Sequence, residues 1–567
     1  MPTPAADLLE LRILDGPNLY FPRPAVKVTL EAAGWMRASG AMVAKCGAAL
    51  GVGAAAQPGD PRTQQRQRVV ARIAAAYVRR VAVAAGASRL AVRARPGDGL
   101  DRVVIAFPWR RRGAAEALGR AAARAMAVGP RRAPAGVIAD LAALVAAADP
   151  GPEPTVPDPP GLVVQITGTN GKTTTTRMLA HLVEAAGKTV AYSSTDGVYR
   201  GHRRVVKGDY SGFGGAATAL AQRPDVAVLE TARGGMLLRG IGVLHNDVAV
   251  VTNVSADHLD LQGIHTVDQL AEVKGLITRI TRADGWDVLN ADDPRALAMR
   301  RHATGRPWLF TLDPRHPAIR EVLTDGGRAT TVIDGAIAVL QDHGVRPLVP
   351  LLDVPATLAG VSSIYTANVL AAASAALAIG LPARSVIKGL RTFVLDQAAN
   401  PGRANLFTLD GRTIVIDYAH NEAGIRGLSE ILRGLRPPGS EVWLTIGTAG
   451  DRTDDILHAF ALHAALGSDH LAFAELQHYL RGRTREGIVA QLAAGAAEAG
   501  VTDVPVYVDE LRALRATFKT SVPGDVVSAT VLGMRAEVFR WLKRRGARPL
   551  TPADVKRLAR AASSAAI

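Results

Sequence analysis

The sequence predicts an α/β protein built on parallel sheets, with a small α+β unit ahead of them. Three observations carry this. From residue 161 short apolar runs alternate with helical stretches, a glycine-rich turn joins the first of those runs to a helix, and a second alternating series begins near residue 400. At 567 residues the chain has room for about three or four domains.

Residues 1–128 read as one unit, with strand-like pieces "LELRIL", "AVKVTL", "LAVRAR" and "RVVIAFPW" and helices over 66–86 and 112–127. Residues 129–160 hold a short apolar helix and then "DPGPEPTVPDPPG", whose prolines exclude regular helix or sheet and predict a semi-rigid linker. A central domain over 161–398 follows. Its strands are "LVVQIT", "TVAYSS", "DVAVLE" and "DVAVVTNV", with shorter β pieces over 326–358 and helices over 365–392. Residues 399–567 form a smaller α/β domain on "RTIVIDYA", "EVWLTIG", "HLAFAE", "VPVYV" and "DVVSATV", ending in a helix.

Composition narrows the function classes. No run of 18 apolar residues exists, so a membrane-spanning helix is not expected, and the N-terminus lacks the basic region and apolar core of a secretory signal. The single cysteine, Cys46, excludes an internal disulfide and a cysteine-based metal site, which fits a reducing cytoplasm. The net charge of +16 admits an anionic partner. Heavy use of arginine throughout accounts for it equally well, and without a basic tail or aromatic-basic interleaving no nucleic acid is expected.

The chemistry starts at "ITGTNGKTTTTRM", residues 166–178. Glycines at 168 and 171 let backbone N–H groups turn onto a phosphate, Lys172 can reach terminal phosphates, and the Thr173 hydroxyl can bind Mg²⁺ at the start of a helix. The general G-x-x-x-x-G-K-[ST] spacing would need glycine at 166, where the chain has Ile166. Glu230 ends a strand and either holds Mg²⁺ or is a strand-end charge facing water. Asn253, Asp257 and His258 lie just beyond the next strand; His258 alone reads as a loop histidine, and Lys274 alone as a solvated helix residue. Together, a phosphate loop with a strand-end Glu and a strand-end His is the layout of metal-assisted phosphoryl transfer.

These residues carry a resemblance. "GTNGKTTTT", "NVSADHLD" with a lysine sixteen residues after its histidine, "NADDP", "NPGRANLF" and "DYAHN" resemble the Mur ligase superfamily. Within it, "YSSTDGVY", "GDYSG", "VLETARGGML" and "GTAGDRTDDI" are similar to the C-terminal, Mur-like half of the cyanophycin synthetases. More weakly, "LRILDGPNLYFPRP" and "RVVIAFPWRRRGAAEALGRAAARAM" resemble their N-terminal domain. Those enzymes carry an ATP-grasp domain between the two parts, and the residues between 130 and 160 are too few to hold one.

The resemblance implies an ADP-forming carboxylate–amine ligase that uses ATP and Mg²⁺ and proceeds through an acyl phosphate. It implies a P-loop central Mur-ligase domain with a parallel sheet and a Rossmann-like C-terminal domain. Gly168, Thr169, Asn170, Gly171, Lys172, Thr173 and Thr174 would bind ATP. Asn290 would lie near the adenine, and Arg403 and Asp417 would reach phosphates and ribose when the C-terminal domain closes. Thr173 and Glu230 would hold one metal ion, with His258, and Lys274 if carbamylated, at a second. Asp209, Ser211, Arg233 and His420 fall where substrate contacts are expected, and a purely structural loop role stays open for the first three. The expected partners are a small acid or acidic peptide and an amino acid or other amine. A homo-oligomer and a separate ATP-grasp enzyme are further partners compatible with the resemblance. A kinase or NTPase that stops at phosphorylation, and a non-catalytic binding partner of an ATP-grasp enzyme, are the competing classes.

Overall fold

The computed structural model describes residues 4–156, 158–257, 259–342, 344–476 and 479–564. The chain divides into two compact units. The first comprises residues up to Pro159 together with Ser211–Ala217 and Ala232–Leu244; the second holds the remainder.

In the first unit Asp7–Leu14, Ala25–Glu31, Arg102–Pro108 and Arg93–Pro96 form an antiparallel sheet in that order. Strict alternation along Ala25–Glu31 turns Val26, Val28 and Leu30 into the core. Helices Gln64–Ala84 and Arg112–Val128 cover that face, with Ile73, Tyr77 and Met126 buried against it. The chain continues in the same unit beyond residue 128: helix Pro134–Ala146 buries Val137 and Leu141 in this core, so the residues assigned to a linker begin with a packed helix. The two later segments are fastened to the turn after the first strand. Arg239 donates to Asp15 Oδ2 at 2.6 Å, and the Ile241 N–H donates to the Pro17 carbonyl at 2.7 Å. A Cβ on Gly16 would lie 1.8 Å from the Ile241 carbonyl oxygen, so only glycine fits there.

The second unit contains two sheets. The larger runs Gly344–Pro350, Ala336–Gln341, Arg328–Ile333, Arg306–Phe310, Thr281–Asn290, Asn246–Val251, Leu162–Thr167, Val226–Glu230, Val190–Ser194, Gly197–Arg200, Arg203–Lys207. Its middle, from Arg328–Ile333 to Val190–Ser194, is parallel, and antiparallel hairpins extend both edges. The strand Leu162–Thr167 lies centrally, with its sequence successors on opposite sides. Its carboxyl end is therefore a topological switch point, where open α/β sheets bind ligands. Val226–Glu230 is buried throughout, as expected for a strand covered on both faces. The alanine-rich helix Ser363–Ala378 packs against helix Lys172–Ala185 with most of its side chains buried.

The second sheet runs Val506–Tyr507, His470–Ala474, Val442–Ile446, Val526–Thr530, Arg412–Asp417, Asn405–Leu409, Arg548–Pro549. It is parallel except at Asn405–Leu409, which pairs antiparallel on both sides. The α/β class expected from sequence is the fold observed, with mixed rather than purely parallel sheets. Among the described residues no helix is long and apolar enough to cross a membrane.

Candidate active site

The central strand ends at Thr167, and the chain turns sharply into helix Lys172–Ala185. Gly168 has φ +152°, and a Cβ there would sit 1.9 Å from Thr252 Oγ1; Gly171 has φ +86°, and a Cβ there would meet Asn368 Oδ1 at 2.2 Å. Both positions therefore require glycine, for space as well as backbone conformation. The neighbouring strand end holds the loop. Thr169 N–H donates to the Asn253 carbonyl (2.9 Å), Asn170 N–H to Asn253 Oδ1 (2.8 Å), and Thr252 Oγ1 donates to the Asn170 carbonyl (2.6 Å). The helix has no side-chain cap at its N-terminus, which leaves the anion-binding end of its dipole uncovered by its own sequence.

Two lysines converge on one carbonyl. Lys172 Nζ donates to the carbonyls of Gly168 (3.0 Å) and Thr169 (2.9 Å), and Lys274 Nζ donates to Gly168 at 2.5 Å. Lys274 ends helix Val267–Lys274 and is buried; it is not the solvated residue that its position on a helix suggested. Burial pushes the Lys172 ammonium below its usual range, while the charges of Glu230 and Asp257 draw it back up.

Glu230 is 1% exposed at the end of its strand. Its Oε2 accepts from the Thr173 hydroxyl (2.9 Å) and the Thr195 N–H (3.3 Å), while its Oε1 is buried with no hydrogen-bond partner. It is therefore not a strand-end charge facing water. Burial raises its pKa, opposed by the charges of Lys172 and Arg403. A buried carboxylate oxygen left unpaired is costly and calls for a cation. Next to a threonine hydroxyl at a phosphate loop, this donor set suits Mg²⁺. Among the described residues no group of three or more His, Cys, Asp or Glu side chains makes a metal cage. His258 lies outside the described residues.

The smaller sheet brings further groups to the loop. Arg403 Nη2 donates to Thr173 Oγ1 at 3.2 Å, with its guanidinium 4.7 Å from the Tyr418 ring centroid. Asn421 and Asn170 exchange side-chain amide bonds at 3.2 Å in each direction. Asp417 is committed to backbone: Oδ2 accepts from Ala404 N–H (2.7 Å) and Oδ1 from Ala419 N–H (2.7 Å), with the Tyr365 hydroxyl 3.4 Å from Oδ2. Burial pushes this carboxyl up. His420 Nδ1 lies 2.8 Å from the Tyr418 carbonyl and Nε2 3.7 Å from Asp257 Oδ2, while Arg452 Nη2 lies 3.4 Å from Asp257 Oδ1.

The other expected residues are placed as follows. Asn290 donates to the Thr252 carbonyl at 2.8 Å, at the foot of the loop's neighbour. The Thr174 hydroxyl accepts from Asn400 at 3.2 Å. Asp209 is close enough for its charge to act on Lys172. Ser211 and Arg233 belong to the first unit, where the Ser211 carbonyl accepts the Ala232 N–H at 2.7 Å and Arg233 opens a short helix. Sequence reasoning missed Thr195, Tyr365 and Asn421 as parts of this cluster. Asn421 has a readable signal, being the N-cap of helix Glu422–Gly434 directly after "DYAH".

Comparison with known proteins gives the family. Residues 166–332 match the Mur ligase middle domain, and residues 402–530 match the Mur ligase glutamate ligase domain. The chain is 40% identical over 324 residues to the cyanophycin synthetase of Crocosphaera subtropica, covering 57% of this chain and 37% of that protein. It is 27% identical over 386 residues to the UDP-N-acetylmuramyl-tripeptide synthetase of Deinococcus radiodurans, covering 64% of this chain and 71% of that one. The chain thus spans well under half the length of the cyanophycin synthetase it matches. In fold it is similar to the E. coli FolC structure in complex with DHPP and ADP (TM-score 0.51, 20% identity), over 68% of this chain and 90% of that chain. It is likewise similar to a bifunctional folylpolyglutamate synthase/dihydrofolate synthase with Mn, AMPPNP and L-glutamate bound (TM-score 0.52, 20% identity, 68% and 90% covered). The phosphate loop, the buried glutamate and the arginine that meets them all fall within the matched domains: the chain carries the middle and C-terminal domains of the Mur ligases and is homologous to the cyanophycin synthetases.

Proposed function

We propose that the chain is an ATP-dependent, ADP-forming ligase that joins a carboxylate to an amine through an acyl phosphate. The observation that carries this reading is the orphaned Oε1 of Glu230, buried beside the Thr173 hydroxyl at a loop where Lys172, Lys274 and Arg403 converge. Lys172, Arg403 and a helix N-terminus are suited to a triphosphate, and Glu230 with Thr173 is suited to its Mg²⁺. Bound there, Mg²⁺ would neutralise phosphate charge and orient the terminal phosphoryl group.

In this account the backbone of Gly168–Gly171 cradles the phosphates, with Thr169, Asn170 and Thr174 shaping the loop. Lys172 leaves its resting bonds to the loop carbonyls to bridge the terminal phosphates. The substrate carboxylate attacks the terminal phosphorus, the bond to ADP breaks, and Arg403 stabilises the charge that builds on the transferred group. A carboxylate is a poor electrophile until its oxygen becomes a good leaving group. Once phosphorylated, its carbon accepts the amine lone pair, the C–O bond breaks as inorganic phosphate leaves with that oxygen, and the amine proton passes to solvent. The C-terminal domain excludes water, which would otherwise hydrolyse the acyl phosphate.

Asn290 is assigned to the nucleotide side of the cleft. Asp417 acts by holding the backbone just after Arg403 and just after Tyr418 rather than through a free carboxylate. Asp209, Ser211, Arg233 and His420 are assigned to the acid and amine substrates. His258, and Lys274 in its carbamylated form, are assigned to a second metal ion. The substrates are an acidic peptide or small acid and an amino acid, by analogy with homologues named for such products and with FolC-type structures holding ADP, AMPPNP, Mn or L-glutamate. The cytoplasm is the compartment that supplies the ATP, and a homo-oligomer and a separate ATP-grasp enzyme are the proposed protein partners.

The test is incubation with ATP, Mg²⁺ and a matrix of amino acids and short Asp- or Glu-containing peptides, read by mass spectrometry. A product of mass acid plus amine minus water, with one phosphate released per bond, supports the ligase. Phosphate release without a condensed product across the matrix would favour an NTPase. Nucleotide binding without turnover would favour a non-catalytic partner.

A further inference from the structure

The two Mur ligase domains are joined by the stretch between helix Ala383–Thr392 and strand Asn405–Leu409, and Arg403 stands near its end. Two arginines from different domains grip the carbonyls of this stretch. Arg177, on the phosphate-loop helix, donates from Nη1 to the Ala399 carbonyl at 3.2 Å. Arg535, first residue of helix Arg535–Arg544, donates from Nη1 to the Pro401 carbonyl at 3.1 Å. Their Nη2 atoms meet on one carboxylate: Arg177 Nη2 lies 3.1 Å from Asp196 Oδ2 and Arg535 Nη2 2.6 Å from Asp196 Oδ1.

Everything around this arch fixes it. Arg177 also donates to the Tyr199 hydroxyl (3.3 Å) with its guanidinium 5.1 Å from the Tyr199 ring centroid, and that ring stacks on Tyr192 at 4.8 Å. The turn that leads into Arg535 is held by the buried Glu510, which accepts the N–H groups of Leu532 (2.6 Å) and Met534 (2.7 Å). Gly402 has φ +74°, and a Cβ there would meet Arg535 Cδ at 2.7 Å, so the joining loop leaves room for that side chain. Burial raises the Asp196 carboxyl, yet the hydrogen bond and charge of Arg535 and the charge of Arg177 bring it below the usual range. Without that carboxylate two guanidinium groups would face each other over the same loop.

We infer that Asp196 is a positioning residue: by holding Arg177 and Arg535 together on the loop at 399–401, it sets Arg403 on Thr173 and latches the C-terminal domain onto the phosphate loop. Its catalytic consequence rests on the proposed ligase function; the latch itself does not. Asp196 touches no reacting atom. It follows Thr195, whose N–H donates to Glu230, so the same turn serves the metal-side carboxylate and the latch.

Two readouts test this separately. Without substrate, hydrogen exchange of residues 398–404 is measured in wild type, Asp196→Asn and Arg535→Gln, with thermal unfolding as a control; Arg535 is the more exposed partner, so its variant carries the test should Asp196→Asn fail to fold. Exchange in that segment should quicken at least about tenfold in the latch variants while that of the phosphate-loop helix stays unchanged. With substrates, both variants should lower kcat by about ten- to a hundredfold and leave KM for ATP within about twofold. Combined with Arg403→Ala, either should add little to the loss that Arg403→Ala causes alone, because the latch acts through that residue. Unchanged exchange in 398–404, or losses that multiply with Arg403→Ala, would overturn the inference. If no amide product forms even with wild type, the ligase reading fails and the exchange data still decide the latch.

Discussion

Glu230 holds the Thr173 hydroxyl at 2.9 Å through one carboxylate oxygen and keeps the other buried without a partner. That asymmetry ties stability to function. An unpaired buried oxygen destabilises the ligand-free protein and, in the function proposed, becomes a ligand once a cation arrives. Glu230→Gln should therefore leave thermal stability without Mg-ATP equal or higher, and abolish the stabilisation that Mg-ATP gives wild type, expected at about 2–4 kcal/mol with ligand well above its Kd. Differential scanning fluorimetry with and without Mg-ATP measures both.

Lys172→Ala removes the loop's own cation while Arg403 stays. Loss of one such charge at a phosphoryl-transfer site costs about 10²–10³ in kcat. Steady-state phosphate release should fall by that factor, and a loss below about threefold would move the phosphate-gripping role to Arg403.

Gly171→Ala places a Cβ at 2.2 Å from Asn368 Oδ1 with φ at +86°. The helix start must shift, at a cost of about 1–3 kcal/mol, and nucleotide affinity should fall with it. Chemical denaturation and titration with a non-hydrolysable ATP analogue check the two effects. Gly187→Ala, at φ +76° with open space around it, should cost stability alone.

Asp287 gives a pH signature remote from the proposed chemistry. It is fully buried between Thr281 Oγ1 (2.7 Å) and Gly305 N–H (2.8 Å), and burial lifts its pKa from 3.8 to about 7. Because the folded pKa exceeds the unfolded one, the folded state binds this proton more tightly. Its contribution to stability is fully present below pH 3.8 and is lost as pH rises to about 7. Asp287→Asn should flatten the fall in stability across that window, by about 2–4 kcal/mol. Thr281 can turn its hydroxyl to the Ile277 carbonyl at 3.2 Å and accept from the new amide. Unfolding midpoints between pH 4 and 8 measure the difference.

What the sequence made legible follows from how local each signal is. The glycine-rich loop is written in adjacent residues, an apolar strand, two glycines, a lysine and a helix, and the structure has a strand, tight loop and helix there. Helices Gln64–Ala84 and Arg112–Val128 lie within two residues of the spans expected from periodicity. The strand Thr281–Asn290 was missed because it opens on "TRADG", where charge hides the apolar "WDVL" that follows. Longer-range relations had no local mark. The amide exchange between Asn170 and Asn421 spans 251 residues, and the recruitment of Ser211–Ala217 and Ala232–Leu244 into the first unit depends on packing against a distant turn. Lys274 sits at the solvent-typical end of a short helix, yet it is buried against the Gly168 carbonyl at the end of the central strand. The order of strands, which makes Leu162–Thr167 central, is likewise a property of the assembled sheet.

The central claim is that the loop, Glu230 and Arg403 serve transfer of a phosphoryl group to a carboxylate. Its most direct measurement uses an acid substrate labelled with ¹⁸O in its carboxylate, with mass analysis of the phosphate released during turnover. The account predicts one ¹⁸O carried from the carboxylate into inorganic phosphate for each amide formed. Amide formation with unlabelled phosphate would contradict the acyl-phosphate route.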